Sequence, residues 1–251
     1  GHLLNNIRII LARFLIPRAD SIRVVTKRIK NSIISILDVY ESKIIVLPIF
    51  VDIEKIKKTK SKINLNKKYP QFDFIILMAS RIENEKNFPL ALGVFKKIIK
   101  TKPKTGLIII GEGKREGFIK NLVKENDLSK FVIFENWTDN LIPYKTANMF
   151  LLTSDYEGYG LTLIEAISSR CPIVTTRVGI VNEVLEDGVS ALICNPKDDI
   201  CLYKKILKLM DNEIDKNKLI KNASVSIKKY LISDKNEYLE NYKNVFKLWK
   251  R

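Results

Sequence analysis

The sequence predicts an α/β protein built on a doubly wound parallel sheet. Three observations carry this. From Phe72 onward, short apolar runs recur: Phe74–Ala79, Leu107–Ile110, Phe131–Phe134, Met149–Thr153, Pro172–Thr175 and Ala191–Cys194. The longest of them are continuously apolar rather than alternating, as suits strands buried on both faces. Helical stretches separate most of them, and strand–helix–strand units joined by right-handed crossovers make a parallel sheet.

The elements follow in order. Leu3, Leu4, Ile7, Ile10, Leu11, Phe14 and Leu15 recur at helical spacing, and Pro17 stops that helix. Ser21–Thr26 reads as a strand, Lys27–Asp38 as a helix and Lys43–Leu47 as a strand. Pro48-Ile49-Phe50-Val51-Asp52 then breaks the pattern, and the Lys-rich stretch Glu54–Lys68 reads as a linker or surface segment. Within the second region, helices are expected over Pro89–Lys100, from Gly113 to about Asn126, and over Leu141–Thr146, Leu161–Ser169 and Val181–Glu186. Helices fill the rest, ending with Asn236–Trp249. The division this suggests is residues 1–52, residues 53–235 and a C-terminal helix 236–251 that packs back toward the first part.

A chain of 251 residues with 46% apolar and 29% charged residues excludes wholesale disorder, collagen and a disulfide scaffold. No stretch approaches the roughly 20 apolar residues of a spanning helix. No signal peptide is visible, because Arg8 and Arg13 interrupt the opening apolar residues. The formal charge of +16 points to compositional drift, since Lys, Ile and Asn are abundant throughout, or to anionic partners. Nucleic-acid binding would rest on charge alone, so no specific nucleic acid is expected. Cys171, Cys194 and Cys201 lack Cys-x-x-Cys spacing and read as reduced, buried thiols of a cytoplasmic protein. With His2 as the lone histidine, a His-based metal site or a Ser-His-Asp triad has little to work with.

In such sheets ligands bind at the carboxyl ends of the strands. After Met149–Thr153 comes Ser154-Asp155-Tyr156-Glu157-Gly158-Tyr159-Gly160-Leu161, running into a helix that carries Glu165. Glycines opening a helix let backbone approach an anion, and the helix start attracts it. Two carboxylates there make sense if each accepts hydrogen bonds from neutral hydroxyls of a sugar and a ribose. After Phe74–Ala79, Arg81 and Lys86 flank a turn at the same sheet edge, where two cations could neutralise a diphosphate or simply be solvated. Gly111-x-Gly113-x-x-x-Gly117 has one residue too many for a dinucleotide fingerprint, and no suitable acidic residue ends the next strand.

Ser154 through Ala166 resembles the Glu-x7-Glu motif of the retaining nucleotide-sugar glycosyltransferases of GT-B fold. The surroundings match the same family in order. Ala79-Ser80-Arg81 with Glu85-Lys86-Asn87 is similar to its Gly-Arg…Glu-Lys-Gly loop, and Ile109-Ile110-Gly111-Glu112-Gly113 to its Val-Gly-x-Gly turn. Cys171-Pro172-Ile173-Val174 resembles its Pro-Val-Val strand, and Val178-Gly179…Glu183-Val184 and Asp187-Gly188 its following elements. Ala19-Asp20-Ser21-Ile22 and Pro48–Asp52 look like the end of a first domain and the crossover.

The resemblance implies a GT-B architecture: a whole Rossmann-like donor domain preceded by the tail of an N-terminal acceptor domain, the chain being a fragment. It implies transfer of a hexose-type sugar from a UDP- or GDP-linked donor, with retention and without metal or other cofactor. The acceptor would be a glycan or a lipid-linked molecule, with peripheral contact to an anionic membrane. Arg81 and Lys86 would bind the donor diphosphate, and Glu157 would contact the transferred sugar. The backbone of Gly158, Tyr159, Gly160 and Leu161 would hold sugar and phosphate oxygens, Glu165 the ribose, and Tyr156 and Tyr159 would be candidates to line the sugar site. The alternative is a module that binds a nucleotide sugar without transferring it. The chain departs from the family pattern at Asn87, Asn136, Arg170, Ile180 and Ser190, all frequent glycine positions, and Ile180 is the one expected to crowd the donor. The basic amphipathic helix 3–16 is expected to pack on its own domain, with a membrane surface as the other reading.

Overall fold

The computed structural model describes residues 2–59, 63–136, 143–212, 214–232 and 234–247. They form two compact units, one of residues 1–51 with 231–251 and one of residues 52–230. In the smaller unit, α1 (His2–Leu15) and a 3-10 turn precede β1 (Ile22–Val24), α2 (Lys27–Leu37) and β2 (Ile44–Val46). β1 and β2 pair in parallel, Ile22 opposite Ile44. Val24, Val39 and Ile44 make a small core against which α2 lays Ile29, Ile33 and Leu37. α11 (Lys235–Lys247) belongs to the same unit: Tyr238 stacks on Phe50 at 5.3 Å, and its hydroxyl accepts a bond from Arg23 at 3.1 Å. Residues 248–251, where the sequence continues this helix, lie outside the described residues.

The expectation for α1 needs correcting. Ile7, Ile10, Leu11, Phe14 and Leu15 stand about half exposed instead of packing on their own unit. The small core of this unit is formed with α2, and no described α1 residue is among those packed against it. No described helix is long and apolar enough to cross a membrane.

The larger unit opens with α3 (Ile53–Lys58) and α4 (Leu65–Lys68), where the sequence suggests a linker. Asp52 caps α3 by accepting the Lys55 N–H at 2.8 Å, and Asn64 caps α4 by accepting that of Lys67 at 3.1 Å. Ile53, Ile56 and Leu65 are buried and anchor both helices. The sheet follows with β3 (Phe74–Ala79), α5 (Phe88–Thr101), β4 (Thr105–Ile110), α6 (Glu116–Glu125) and β5 (Val132–Glu135). Then come β6 (Met149–Leu152), α7 (Leu161–Ser168), β7 (Ile173–Thr176), α8 (Val181–Val184), β8 (Leu192–Cys194), α9 (Asp199–Met210) and α10 (Lys216–Tyr230). In place of the expected helix 141–146 there is a single 3-10 turn, Tyr144–Thr146; residues 141 and 142 lie outside the described residues.

All six strands are parallel, in the order β5-β4-β3-β6-β7-β8. The fold is therefore the doubly wound α/β sheet. Ile76, Met78, Leu107, Ile109, Met149 and Leu151 face one core shared with α5, α6 and α9. The alternate residues, Ile75, Leu77, Ile108 and Phe150, are fully buried on the opposite face. The chain winds outward from β3 through β4 to β5, then restarts beside β3 with β6 and winds the other way. In doubly wound sheets ligands bind at such a switch, here outside the carboxyl ends of β3 and β6.

The cysteines also depart from expectation. Cys194 and Cys201 form a disulfide, while Cys171 is a buried free thiol. Six residues lie between the pair in sequence, and the short turn from β8 into α9 brings Cys201 to 5.8 Å from Cys194, Cα to Cα.

Candidate active site

The two loops that leave the switch point are stitched together by hydrogen bonds. Beyond β3 the chain runs through Ser80 and Arg81 into a 3-10 turn, Asn84–Lys86, and then Asn87 in left-handed conformation at φ 49°. Asn87 replaces a family glycine yet keeps the backbone that glycine favours. Its side-chain oxygen caps α5 by accepting the Leu90 N–H at 3.2 Å, and its amide donates to Asp155 at 2.9 Å. Thr153, just past β6, donates to the carbonyls of Lys86 and Asn87, and the Asp155 N–H reaches the Glu85 carbonyl at 2.8 Å.

These bonds bring Lys86 to Glu157. The ammonium donates to Glu157 Oε1 at 2.6 Å, and both side chains are about one-tenth exposed. Ser154 Oγ donates to the same oxygen at 2.7 Å. Arg81 lies on the same edge but behaves differently: its side chain is 76% exposed and meets Glu85 only at 3.6 Å, a loose surface pair. The sequence reading brackets Arg81 and Lys86 as equals, whereas the fold encloses Lys86 against Glu157 and leaves Arg81 exposed.

Gly160, at φ 102°, starts α7. Of its first-turn N–H groups, that of Leu163 donates to the Gly160 carbonyl at 3.0 Å, while those of Leu161 and Thr162 come too early in the helix for an i−4 acceptor inside it. A Cβ on Gly158 would meet nothing within 4 Å, so local packing does not demand glycine there. Gly179 is the opposite case. At φ 57°, a Cβ would overlap the Tyr159 carbonyl oxygen. The neighbouring Ile180 donates its N–H to that carbonyl at 2.9 Å, and its side chain is fully buried. The expected crowding by Ile180 is thereby corrected: the side chain turns into the core, and the tight backbone approach falls on Gly179. Tyr159 itself is buried, whereas Tyr156 is exposed. Beside β4, a Cβ on Gly111 would overlap the Ser80 carbonyl, so that turn is shaped to pack on the β3 loop.

Glu165 projects from α7 into a buried setting. Burial raises its carboxyl above the usual range, and a bond donated by the Tyr144 hydroxyl at 3.0 Å pulls the other way. Tyr144 is fully buried, its ring edge-on to Phe150 at 5.4 Å, and burial together with Glu165 pushes its phenol well up. Sequence reasoning missed both Tyr144 and Ser154 as parts of the site. Ser154 had a local signal, three residues before Glu157, but Tyr144 meets Glu165 across 21 residues and had none.

The family description "Glycosyl transferases group 1" matches residues 57–225, more than half of the chain. The chain belongs to this family. It is 26% identical over 180 residues to the alpha-monoglucosyldiacylglycerol synthase of Acholeplasma laidlawii, covering 70% of this chain and 44% of that protein. It is 27% identical over 175 residues to the poly(glycerol-phosphate) alpha-glucosyltransferase of Bacillus subtilis strain 168, covering 69% and 26%. The chain thus spans less than half the length of these curated relatives. Among solved structures, a glycosyltransferase from Rickettsia africae superposes with a TM-score of 0.79 at 17% identity, over 96% of this chain and 66% of that one. Anabaena HepE in complex with UDP and glucose gives 0.80 at 16% identity, over 94% and 66%. These likenesses show the GT-B type fold of the family member, with the six-stranded unit as its Rossmann-like part.

Proposed function

We propose that this group 1 glycosyltransferase chain holds a nucleoside-diphosphate sugar, UDP- or GDP-linked, and serves its transfer to a glycan or lipid-linked acceptor with retention at the anomeric carbon. The observation that carries the proposal is the Lys86–Glu157 ion pair at the switch point, next to the opening turn of α7. The cation and the carboxylate satisfy each other. A donor diphosphate gives Lys86 a better partner, and it can share the charge with the exposed Arg81 and the α7 N–H groups. Glu157 is then released toward the sugar, where positive charge grows as the bond between the anomeric carbon and the phosphate oxygen lengthens. A carboxylate there stabilises the transition state more than the ground state. When that bond breaks, its electron pair goes to the phosphate oxygen, the acceptor oxygen bonds the anomeric carbon, and the acceptor's proton passes to that departing phosphate oxygen. Glu165 accepts bonds from the ribose hydroxyls.

The protein's own cations supply the charge that a metal would otherwise supply, so no metal enters the proposal. The names of the relatives support an α-linked product, and the UDP and glucose bound to HepE support the donor class. A cytoplasmic location is part of the same proposal. The half-exposed Ile10, Leu11 and Phe14 of α1, with Arg8 and Arg13 on the same helix, support peripheral contact with an anionic membrane. Titration of UDP and GDP into the 251-residue chain in excess chelator tests the core of this reading. Binding of one nucleotide without metal is expected, and binding that appears only when a divalent cation is restored would overturn it.

A further inference from the structure

Tyr144 has no place in the chemistry above, yet it is the most completely enclosed large polar side chain beside the site. Its ring is fixed by the core, edge-on to Phe150 of β6, and its hydroxyl proton has an acceptor in Glu165 Oε2 at 3.0 Å. A buried phenol without an acceptor is costly, so the contact is maintained rather than incidental. A carboxylate on a flexible three-torsion stem can present its oxygens in many planes. One oxygen tied to an enclosed ring narrows that choice, and among the described residues this is the hydrogen bond that the carboxylate accepts.

From this arrangement we infer that Tyr144 is a positioning residue that holds one oxygen of Glu165 and presents the other to the ribose, so setting the site's preference for ribonucleotides over deoxy analogues. The inference rests on the proposed role of Glu165. Two bonds accepted by one carboxylate from vicinal hydroxyls require the charged form and a fixed plane, and Tyr144 favours both. Burial pushes Glu165 toward protonation, and a protonated carboxyl would lose one of its acceptors. Burial and Tyr144 are the influences recorded on Glu165, while the nearby thiol of Cys171 acts on Tyr144. The cations nearest the far end of α7, namely Lys57 of α3, Arg170 and Lys228 of α10, surround a separate hollow beside Ser168.

The test compares a ribonucleoside diphosphate with its 2′,3′-dideoxy analogue by calorimetry on the 251-residue chain. UDP and GDP are tried, and the pair that binds is used. The wild type should prefer the ribose form. Tyr144→Phe keeps the ring and its contact with Phe150 and removes the hydroxyl alone. It should lose about tenfold in affinity for the ribose form and leave the dideoxy analogue unchanged. Equal weakening of both ligands would make Tyr144 a packing residue, and an unchanged preference would also overturn the inference. Glu165→Gln separates the two levels of argument. If it keeps the wild-type preference, or the wild type has none, the ribose role of Glu165 fails and the inference falls with it. If Glu165→Gln abolishes the preference while Tyr144→Phe retains it, only the inference fails.

Should Tyr144→Phe not fold, a crystal structure of the wild-type chain with the bound nucleoside diphosphate carries the test. The Tyr144 hydroxyl should bond one Glu165 oxygen and the ribose the other. A ribose held with Tyr144 turned away from Glu165 would overturn the inference.

Discussion

Single residues decide what the site can hold. Gly158 separates ligand demands from folding demands, because a Cβ there has open space. Gly158→Ala should leave the melting temperature within about 2 °C, since an unstrained surface change is worth within about 0.5 kcal/mol. Donor binding should weaken at least about tenfold if backbone at 158 approaches sugar or phosphate closely. Unchanged binding would remove Gly158 from the site. Glu157→Gln makes a second distinction. It keeps the shape beside Lys86 and Ser154 but removes the charge. In the full-length protein, nucleoside diphosphate binding should persist while turnover falls by about a hundredfold, the scale of one lost electrostatic contact. Normal turnover with a lowered melting temperature would make Glu157 a mere partner of Ser154. The departures from glycine were legible as departures but not in their consequence. Asn87 and Arg170 both adopt positive φ, 49° and 60°, so the backbone of a glycine survives without the glycine.

At the scale of elements, legibility followed burial. The β3, β4 and β6 runs were plain in the sequence because both faces are covered, leaving no polar alternation to confuse the reading. α3 and α4 were missed because only Ile53, Ile56 and Leu65 are apolar among lysines; their caps, Asp52 and Asn64, were the available signal. The pairing of Lys86 with Glu157 spans 71 residues and depends on β3 and β6 being neighbours, which no local pattern encodes.

The turn before β8 offers a test of the same kind. Asp187 is partly buried, which alone would raise its carboxyl, but Lys205 of α9 and the Ile193 N–H outweigh this and hold it below the usual range. A carboxyl lowered by folding contributes stability above its unfolded pKa of about 3.9, and that contribution is lost as pH falls through the folded value. Asp187→Asn should therefore cost about 1 kcal/mol in urea unfolding at neutral pH and almost nothing near pH 2. An equal cost at both values would mean that the residue acts through its shape and its bond to Ile193 rather than its charge.

For the molecule as a whole, the open question in the sequence is what the net charge of +16 is for. One reading is an attractive field that recruits a doubly charged donor; the other is compositional drift, with lysines solvated on every face. The fold favours the second. Lys100 ends α5, and Lys221 and Lys229 lie along α10, all exposed, while Lys86 is enclosed at the switch point. At physiological ionic strength the screening length is about 8 Å, so charges on outer helix faces contribute little at the switch point. Replacing Lys100, Lys221 and Lys229 together by glutamate inverts three charges without touching a residue of the proposed site. Nucleoside diphosphate affinity should then change by less than about threefold at physiological salt. Lys86→Ala should lower it by about tenfold or more, the scale of one charge-assisted bond to phosphate, while leaving affinity for the uncharged nucleoside unchanged. Calorimetry on the two variants, repeated at low salt, separates field from contact. A triple variant that loses as much as Lys86→Ala at physiological salt would show that the whole surface, and not the stitched pair of loops, attracts the donor.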